Sequence, residues 1–596
     1  MCGIVGFTGK GAAAPLLLEG LRKLEYRGYD SAGIAMLDAG KITVVKKVGK
    51  IAELEQELEK RPVTGSTAIS HCRWATMGKV TEQNAHPHLD CSGKIAVVHN
   101  GIIENFQELR GELKKKGHSF RSETDTEVLA HLVEEELKDK RGIDAFRLAV
   151  CNSLKRVAGS YACLFLWAET PDEILAVRDG SPLLLAGSKK GAMAASDALP
   201  LLGFSEEAII LREKEIAVLK KTGEIEVYGM EGGRKIAEKM NLDWDAEQAE
   251  KNGFNHFMEK EIAEEPEMIA RTVAAQDRKL FEEIGGELVR TERVMFVACG
   301  TSRHAALIGR YLFNKMAEKY CDVMIGSEFQ YFAGETDRKT LIVAVSQSGE
   351  TADVLEGVKK AKERGARIVS IVNVPGSSLD RLADKTIFLS CGPEIGVAAT
   401  KTFMSQLAVF YLLAFAAMGR FEEGKEKLGE MAGLVKKIID ENREAAKKLA
   451  QKIKGEEAAY FIARGINFAA ALEGALKFKE ITYIHAEGMP AGELKHGTLA
   501  LVRNGTPVVV LNPNDYTYGE TLANGLETKA RGAFLIGVSD RENEEYDERL
   551  KIPRVEEIFY PFVSVVPLQL LAYYTAVAKG NDPDRPRNLA KSVTVK

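Results

Sequence analysis

Along the first 240 residues, short apolar runs alternate with turn residues at 4–7, 31–36, 42–45, 67–70, 95–99, 161–166, 174–177 and 216–219. Short runs bounded by Gly, Asp, Asn or Pro read as β-strands. Between some of them apolar positions recur at three- and four-residue spacing, which predicts helices at about 14–24, 104–116 and 125–138. Many strands with few helices predict a sheet-rich sandwich. From 241 to about 290 the alternation stops. Asp243, Trp244 and Asp245, then the acidic run 259–267, read as a linker (241–284) leading into a helix, which places a domain boundary near 240.

Beyond 290 the pattern changes character. The continuous apolar run 294–298 leads through Cys299-Gly300-Thr301-Ser302 into a helix at about 304–318. The run 341–345 leads in the same way through residues 346–351 into a helix at about 352–364, and strands follow at 367–372 and 385–389 before a long helix at 397–418. Strands without polar alternation are buried on both faces, and their alternation with helices predicts a parallel, doubly wound sheet. The arrangement returns at 458–463, 508–511 and 533–538, with Phe461 standing 165 residues after Phe296. Two copies of one α/β unit are therefore expected, at 285–425 and 455–580, followed by a tail at 581–596.

Composition narrows the class. A chain of 596 residues is too long for one core and predicts three or four domains. A net charge of −5 gives no basic surplus for nucleic acid or an anionic membrane. No apolar leader and no uninterrupted run of about 18 apolar residues is present, so neither a signal peptide nor a membrane span is expected and the cytoplasm is the expected compartment. The eight cysteines are scattered without a CxxC pair, and the ten histidines form no HxxxH or HExxH pattern. Neither a disulfide framework nor a zinc site is expected, and His86 and His88, flanking a proline, read as a loop.

Candidate chemistry in the first part begins at Cys2. If Met1 is trimmed, one residue carries a thiol of pKa about 8.5 and an α-amine of about 7.7–8.0, so that nucleophile and base coincide. The alternative is a second residue that merely opens a strand. Arg73, at the end of the run 68–70, suits bidentate capture of a carboxylate, or else a surface ion pair. Asn100 and Gly101 offer an amide and an unobstructed backbone N–H to an oxyanion, or else form a favoured turn. Asp125 lies where Thr124 and Glu127 match a capping box, so it either complements the helix or binds an ammonium.

In the second part, Ser346, Gln347, Ser348 and Thr351 place four polar groups within six residues before a helix. One N-cap uses one hydroxyl, so this corner is better suited to a phosphate. It is not a nucleotide P-loop, because GxxxxGK[ST] is absent. Glu473, Lys477 and Glu480 share one helix face at i, i+4 and i+7. An exposed Glu-Lys ladder is the ordinary reading of that spacing. Ala471, Leu472, Ala475, Leu476 and Phe478 make the helix apolar almost all round, which favours burial and a carboxylate raised in pKa, suited to moving a proton between adjacent sugar carbons.

Taken together, CGIVG (2–6), EYRGYDSAG (25–33), RWAT (73–76), NAHPH (84–88), HNGIIEN (99–105) and SETDTE (122–127) resemble the glutamine amidotransferase domain of the N-terminal nucleophile hydrolases. That resemblance covers residues 1–240 and implies an α+β sandwich of αββα layers. It implies Cys2 as nucleophile, Asn100 and Gly101 as oxyanion hole, Arg73 and Asp125 holding the glutamine carboxylate and ammonium, Thr76 lining the site and Trp74 as a gate. Met77 departs from the His that relatives often carry. The later motifs CGTS, SQSGET, EIGVAATKTF, ALEGALKFKEI, ELKHG and PRNLAKSVTV resemble the paired sugar isomerase (SIS) domains of the glutamine–fructose-6-phosphate aminotransferase family. Implied there are L-glutamine and fructose 6-phosphate as substrates and no cofactor or metal. Thr301, Ser302, Ser346, Gln347, Ser348 and Thr351 are implied around the sugar phosphate, with Lys477 close to the sugar. Glu480 is implied as the C1–C2 base, Lys591 as the imine-forming amine, and His496, supplied by the partner of a homodimer, as the ring-opening residue. Gly488-Met489-Pro490 and Thr498 depart from the family pattern around His496. Another Cys-first amidotransferase would need a pyrophosphate-ribose or ATP site, and a sugar-phosphate-binding regulator would need neither Cys2 nor Glu480.

Overall fold

The computed structural model describes residues 2–138, 140–242 and 251–594. Met1, the Asp243-Trp244-Asp245 stretch and the last two residues lie outside the described residues. The chain forms two compact units, residues up to 242 together with 592–594, and residues 251–591.

In the first unit the fully buried strand Gly3–Gly9 pairs antiparallel with Thr67–Arg73 and Gly191–Ala195 within an eight-stranded sheet. Ile95–Ile103 pairs antiparallel with Gly159–Trp167 in a six-stranded sheet. Alternate residues of the two sheets, among them Ile4, Ile69, Val98, Leu164 and Ala176, meet in a shared core, as facing sheets require. On the outer side of the larger sheet, helix Ala13–Leu24 buries Leu17, Leu21 and Leu24 at i, i+4 and i+7. On the outer side of the smaller sheet, Val97 and Phe165 meet Leu129, Leu132 and Phe146 of helices Glu127–Leu137 and Ile143–Leu154. The layers are αββα.

Several elements differ from their sequence reading. Asn100 and Gly101 do not end a strand or make a turn: they lie inside Ile95–Ile103, opposite Ala162 and Tyr161. Gly101 has φ +133°, and a Cβ there would stand 1.9 Å from the Ser160 carbonyl oxygen, so the ladder itself requires glycine. Arg73 is likewise a strand residue. The capping box does not form, because Glu127 reaches past Thr124 to the N–H groups of Arg121 and Ser122, each at 2.7 Å. His86 lies in a loop as read, whereas His88 opens the short strand His88–Leu89; both are buried, with the His86 ring 4.1 Å from His71 and 4.8 Å from His88. In place of a single helix after the linker, two helices, Phe257–Ala274 and Arg278–Arg290, are separated by Asp277, whose carboxylate caps the second by accepting from Leu280 N–H at 2.7 Å.

The second unit holds two five-stranded parallel sheets. In the first, Arg293–Ala298 lies between Asp322–Ile325 and Thr340–Ser346, with Arg367–Val372 and Lys385–Phe388 beyond. In the second, Ala458–Ala463 lies between His485–Pro490 and Pro507–Leu511, with Phe534–Ser539 and Glu548–Lys551 beyond. Both sheets run 2-1-3-4-5, so the repeat inferred from Phe296 and Phe461 is a repeat of topology. Such a sheet opens a ligand crevice at the C-terminal ends of its first and third strands, where the connections diverge. In the first sheet that crevice falls at residues 299–302 and 346–351.

The sequence pattern did not show helix Phe421–Ile453, whose charged face masks a buried stripe of Leu428, Val435, Ile438, Ile439 and Leu449. Helix Tyr560–Ala578 is apolar on every side, and Glu557–Ala578 is long and apolar enough to cross a membrane. It is nevertheless mostly buried within the second unit, as a core helix is. Helices Gly300–Ala317 and Lys401–Ala417 meet at Gly309, where an added Cβ would come 2.4 Å from the Phe410 ring. Gly309→Ala is therefore expected to destabilise this unit by about 1–3 kcal/mol, read as a lower thermal or denaturant midpoint.

Candidate active sites

Cys2 begins the first site. Its Sγ accepts a hydrogen bond from Trp74 N–H at 3.2 Å, and Asn100 Nδ2 donates to the Cys2 carbonyl at 3.1 Å. Burial pushes the Cys2 thiol up, against the opposing pull of the Trp74 N–H and Arg73, so the resting sulfur is a thiol. Asn100 is aimed by a residue that sequence reasoning did not single out. Nε2 of His71 lies 3.1 Å from both Asn100 Oδ1 and the His99 carbonyl oxygen. Burial brings His71 down to about 3, so it is neutral, and two acceptors facing Nε2 require the proton there. The Asn100 oxygen is thereby fixed on His71 and its NH2 turned toward Cys2.

Arg73 donates to the backbone oxygens of Met77, Gly78 (3.3 Å) and Lys79 (3.3 Å), which folds segment 77–79 over its guanidinium. Asp125 accepts from Ile103 N–H at 2.9 Å and so is fixed at the end of the strand that carries Asn100 and Gly101. Trp74 and Tyr29 pack edge to face at 5.5 Å. Cys2, Trp74, Thr76, Asn100 and Gly101 line one small cavity of about 20 Å³, together with Arg27, Ser181, Pro182 and Thr594. This volume holds about one water.

The second site is built on helix Asn467–Thr482. Lys477 is 1% exposed and lies 2.6 Å from Glu480 and 3.5 Å from Glu473. This is no exposed ladder. Glu473 is completely buried and accepts from Thr301 Oγ1 at 3.0 Å, while His304 Nδ1 stands 2.7 Å from its other oxygen. The two sugar-isomerase-like halves are thus joined by polar contacts. Burial raises the Glu480 carboxyl above the ordinary carboxylate range, opposed by Lys477 and Lys591 and reinforced by Glu473.

At the crevice, Ser346 and Thr351 share a hydrogen bond of 2.8 Å, and Gly349 N–H donates to Ser346 Oγ at 3.1 Å. Ser348 Oγ accepts from Glu350 N–H at 3.2 Å, and the Gln347 carbonyl accepts from Asn373 N–H at 2.9 Å. Thr351 is the N-cap of helix Ala352–Glu363 but makes no side-chain cap bond, which leaves the first N–H groups of that helix to another acceptor. Thr301 and Ser302 sit in the first turn of Gly300–Ala317, which starts four residues earlier than the pattern implied. Thr301 is committed to Glu473, and Ser302 Oγ accepts from Gln406 at 2.9 Å.

Lys591 is nearly enclosed. Its ammonium pairs with Glu394 and donates to the Gly396 carbonyl at 2.8 Å. Glu394 also accepts from Thr400 N–H, Thr402 N–H and Thr402 Oγ1 at 2.6–3.0 Å. Burial would raise it, but Lys591 and Thr402 hold it below its usual range. Glu394 opens the EIGVAATKTF motif, yet only the fold showed its partner. His496, at the end of the turn Ala491–His496, is exposed, and the bonds that assemble Glu473, Lys477 and Glu480 do not include it.

Behind Lys591, Glu261 accepts from Ile395 and Gly396 N–H, and burial and the nearby Glu394 push it up to about 7. A carboxyl raised in this way holds its proton more tightly folded than unfolded. Its contribution to stability is complete at acid pH and is lost as pH rises through about 7. Glu261→Gln keeps an oxygen for the two N–H groups, so the melting temperature of the variant relative to the parent should rise between pH 5 and pH 8.

A cavity of about 640 Å³ lies elsewhere. Glu287, Thr291, Lys339, Arg367 and Lys385 line it at the N-terminal ends of the first parallel sheet, the end where such sheets do not bind ligands. Cys91, His118, His131 and Glu134 converge in the first unit, a grouping that the sequence spacing did not show.

A SIS domain model matches residues 287–416 and 452–579, and a glutamine amidotransferase domain model matches 71–202. Over its full length the chain is 46% identical to the whole of "Glutamine--fructose-6-phosphate aminotransferase [isomerizing]" of Thermococcus kodakarensis, and likewise 46% identical to the protein so named in Methanothermobacter thermautotrophicus. Among solved structures, the C-terminal domain of glucosamine-fructose-6-phosphate aminotransferase from Francisella tularensis is 37% identical. It covers 56% of this chain and 99% of its own, with a TM-score of 0.52.

Proposed function

Since the chain belongs to the isomerising glutamine–fructose-6-phosphate aminotransferase family, we propose the following division of labour for its conversion of fructose 6-phosphate and glutamine into glucosamine 6-phosphate and glutamate. The first unit releases ammonia. With Met1 removed, the Cys2 amine takes the thiol proton as Sγ attacks the glutamine amide carbon. Asn100 Nδ2 and Gly101 N–H hold the oxyanion. Collapse returns the proton to the leaving nitrogen and leaves a thioester, which water hydrolyses to glutamate. Glutamine needs more space than the cavity offers. Withdrawal of segment 77–79 would free Arg73 for the substrate carboxylate, while Asp125 holds the ammonium, Thr76 lines the pocket and Trp74 gates the passage of ammonia.

The second unit uses that ammonia. Hydroxyls and N–H groups of 346–351, with Thr301 and Ser302, hold the phosphate. For this the Thr301 hydroxyl turns from Glu473 to the phosphate. Lys591, released from Glu394, forms an imine at C2 with loss of water, and ammonia displaces it. Glu480 then carries a proton from C1 to C2 beside Lys477. We place His496 of the partner subunit at ring opening, which makes the working form a homodimer, and we place the protein in the cytoplasm.

Cys2 carries this reading: a half-buried thiol at position 2, bonded by Trp74 N–H, beside an amide oriented by His71. Purified protein given both substrates should yield glutamate and glucosamine 6-phosphate in equal amounts by mass spectrometry. Glutamate without amino sugar would overturn it.

A further inference from the structure

We propose that Cys91, His118, His131 and Glu134 form a structural zinc site in the first unit. They come from three separate segments. Cys91 lies in the turn between the strand His88–Leu89 and Ile95–Ile103, His118 follows helix Phe106–Lys115, and His131 and Glu134 stand at i and i+3 on helix Glu127–Leu137. One ligand atom from each of the four lies within 4.8 Å of the others. Cys91 Sγ is 3.6 Å from His118 Nδ1 and 3.6 Å from His131 Nδ1. Glu134 Oε2 is 2.9 Å from the former nitrogen and 3.3 Å from the latter.

Those separations fit a tetrahedron. With Zn–S of about 2.3 Å and Zn–N or Zn–O of about 2.0–2.1 Å, the edges of a regular site are about 3.6 Å from sulfur to nitrogen and about 3.3 Å from nitrogen to oxygen. Hydrogen bonding alone would require two imidazole Nδ1 atoms to share one carboxylate oxygen, with a thiol sulfur equidistant from both. A divalent ion at the centre would account for all four positions at once.

The outer contacts agree. A ligating histidine commonly offers its other nitrogen to a carboxylate. His118 Nε2 lies 3.1 Å from Glu135 Oε1, and His131 Nε2 lies 3.7 Å from Glu127 Oε1. A thiolate and a carboxylate would neutralise a dication, and two imidazoles with one thiolate select zinc over magnesium or calcium. Cys91 is solvent-exposed, which gives the ion a route in, while His131 is buried. Four protein ligands leave no open position, so the site is structural rather than catalytic.

Its place in the fold gives it a task. The turn at Cys91 feeds the strand that carries Asn100 and Gly101, and helix Glu127–Leu137 begins two residues after Asp125. The ion would staple the far ends of the segments that hold the oxyanion donors and the ammonium-binding carboxylate.

The test uses the full-length protein equilibrated with zinc chloride and then desalted, with metal measured by plasma mass spectrometry. About one zinc per chain is expected, falling at least about tenfold in Cys91→Ser and His118→Ala. Chelator treatment should lower the melting temperature of the parent, and added zinc should restore it. Cobalt(II), used as a probe on the unmutated chain, should give a thiolate-to-metal charge-transfer band whether or not the variants fold. A parent chain that retains no zinc and gives no such band would overturn the site, as would stoichiometric zinc unchanged in both variants.

Discussion

Cys2→Ala will lower glutamine-dependent synthesis of glucosamine 6-phosphate by at least about 10³-fold, the scale on which loss of a covalent nucleophile is felt, while synthesis from concentrated ammonium persists. The asymmetry follows from the architecture. Sγ is the only atom of that side chain that can form the thioester, whereas the residues proposed to bind the sugar phosphate and move its proton belong to the second unit. Because burial keeps the sulfur protonated, the nucleophile also depends on a base within reach, and the amine of the same residue supplies it only when Met1 is gone. A chain that retains Met1 should therefore behave as Cys2→Ala does. Equal loss with glutamine and with ammonium would contradict the division into two chemistries.

Glu480→Gln should reduce isomerisation by about 10²–10⁴-fold with either nitrogen source, the usual contribution of a positioned acid-base group. Sugar-phosphate binding should be retained, since Gln fills the same space and the 346–351 hydroxyls are untouched. The ordinary function of a buried Lys-Glu pair is structural, and the variant separates the two roles. A purely structural Glu480 would show itself as a lower melting temperature with turnover preserved. The pH profile adds a second readout. Burial raises this carboxyl, so the base form disappears on acidification at a pH above the ordinary glutamate value of about 4.3, and the ammonium-dependent rate should fall there. In Glu480→Gln the residual rate should lose that acid limb.

What was legible in the sequence was whatever is local. The sandwich was foreshadowed by short apolar runs bounded by turn residues, because its central strands, covered on both faces, are buried along their length. The 2-1-3-4-5 sheets were foreshadowed by apolar runs handing over to polar corners. Motif residues such as Cys2, Arg73 and Glu480 stood out because they recur in fixed strings. The misreadings share a cause, which is that neighbours distant in sequence override local preference. Asn100-Gly101 favours a turn in isolation, but pairing with Ala162 and Tyr161 keeps it in the ladder. Glu127 forms no capping box because Arg121 and Ser122 present better-placed N–H groups. Glu394, His71 and His304 gain meaning only from Lys591, Asn100 and Glu473, none of them close in sequence. Cys91 and His118 are 27 residues apart and 3.6 Å apart in space, a separation that no short metal-binding pattern detects.

We propose internal transfer: nitrogen freed at Cys2 reaches the hexose without mixing with solvent. It is tested most directly by supplying fructose 6-phosphate, glutamine labelled with nitrogen-15 at its amide, and an excess of unlabelled ammonium, then reading the isotope in glucosamine 6-phosphate. Internal transfer predicts product that carries the glutamine label almost undiluted. Product whose label matches the mixed ammonium pool would contradict it.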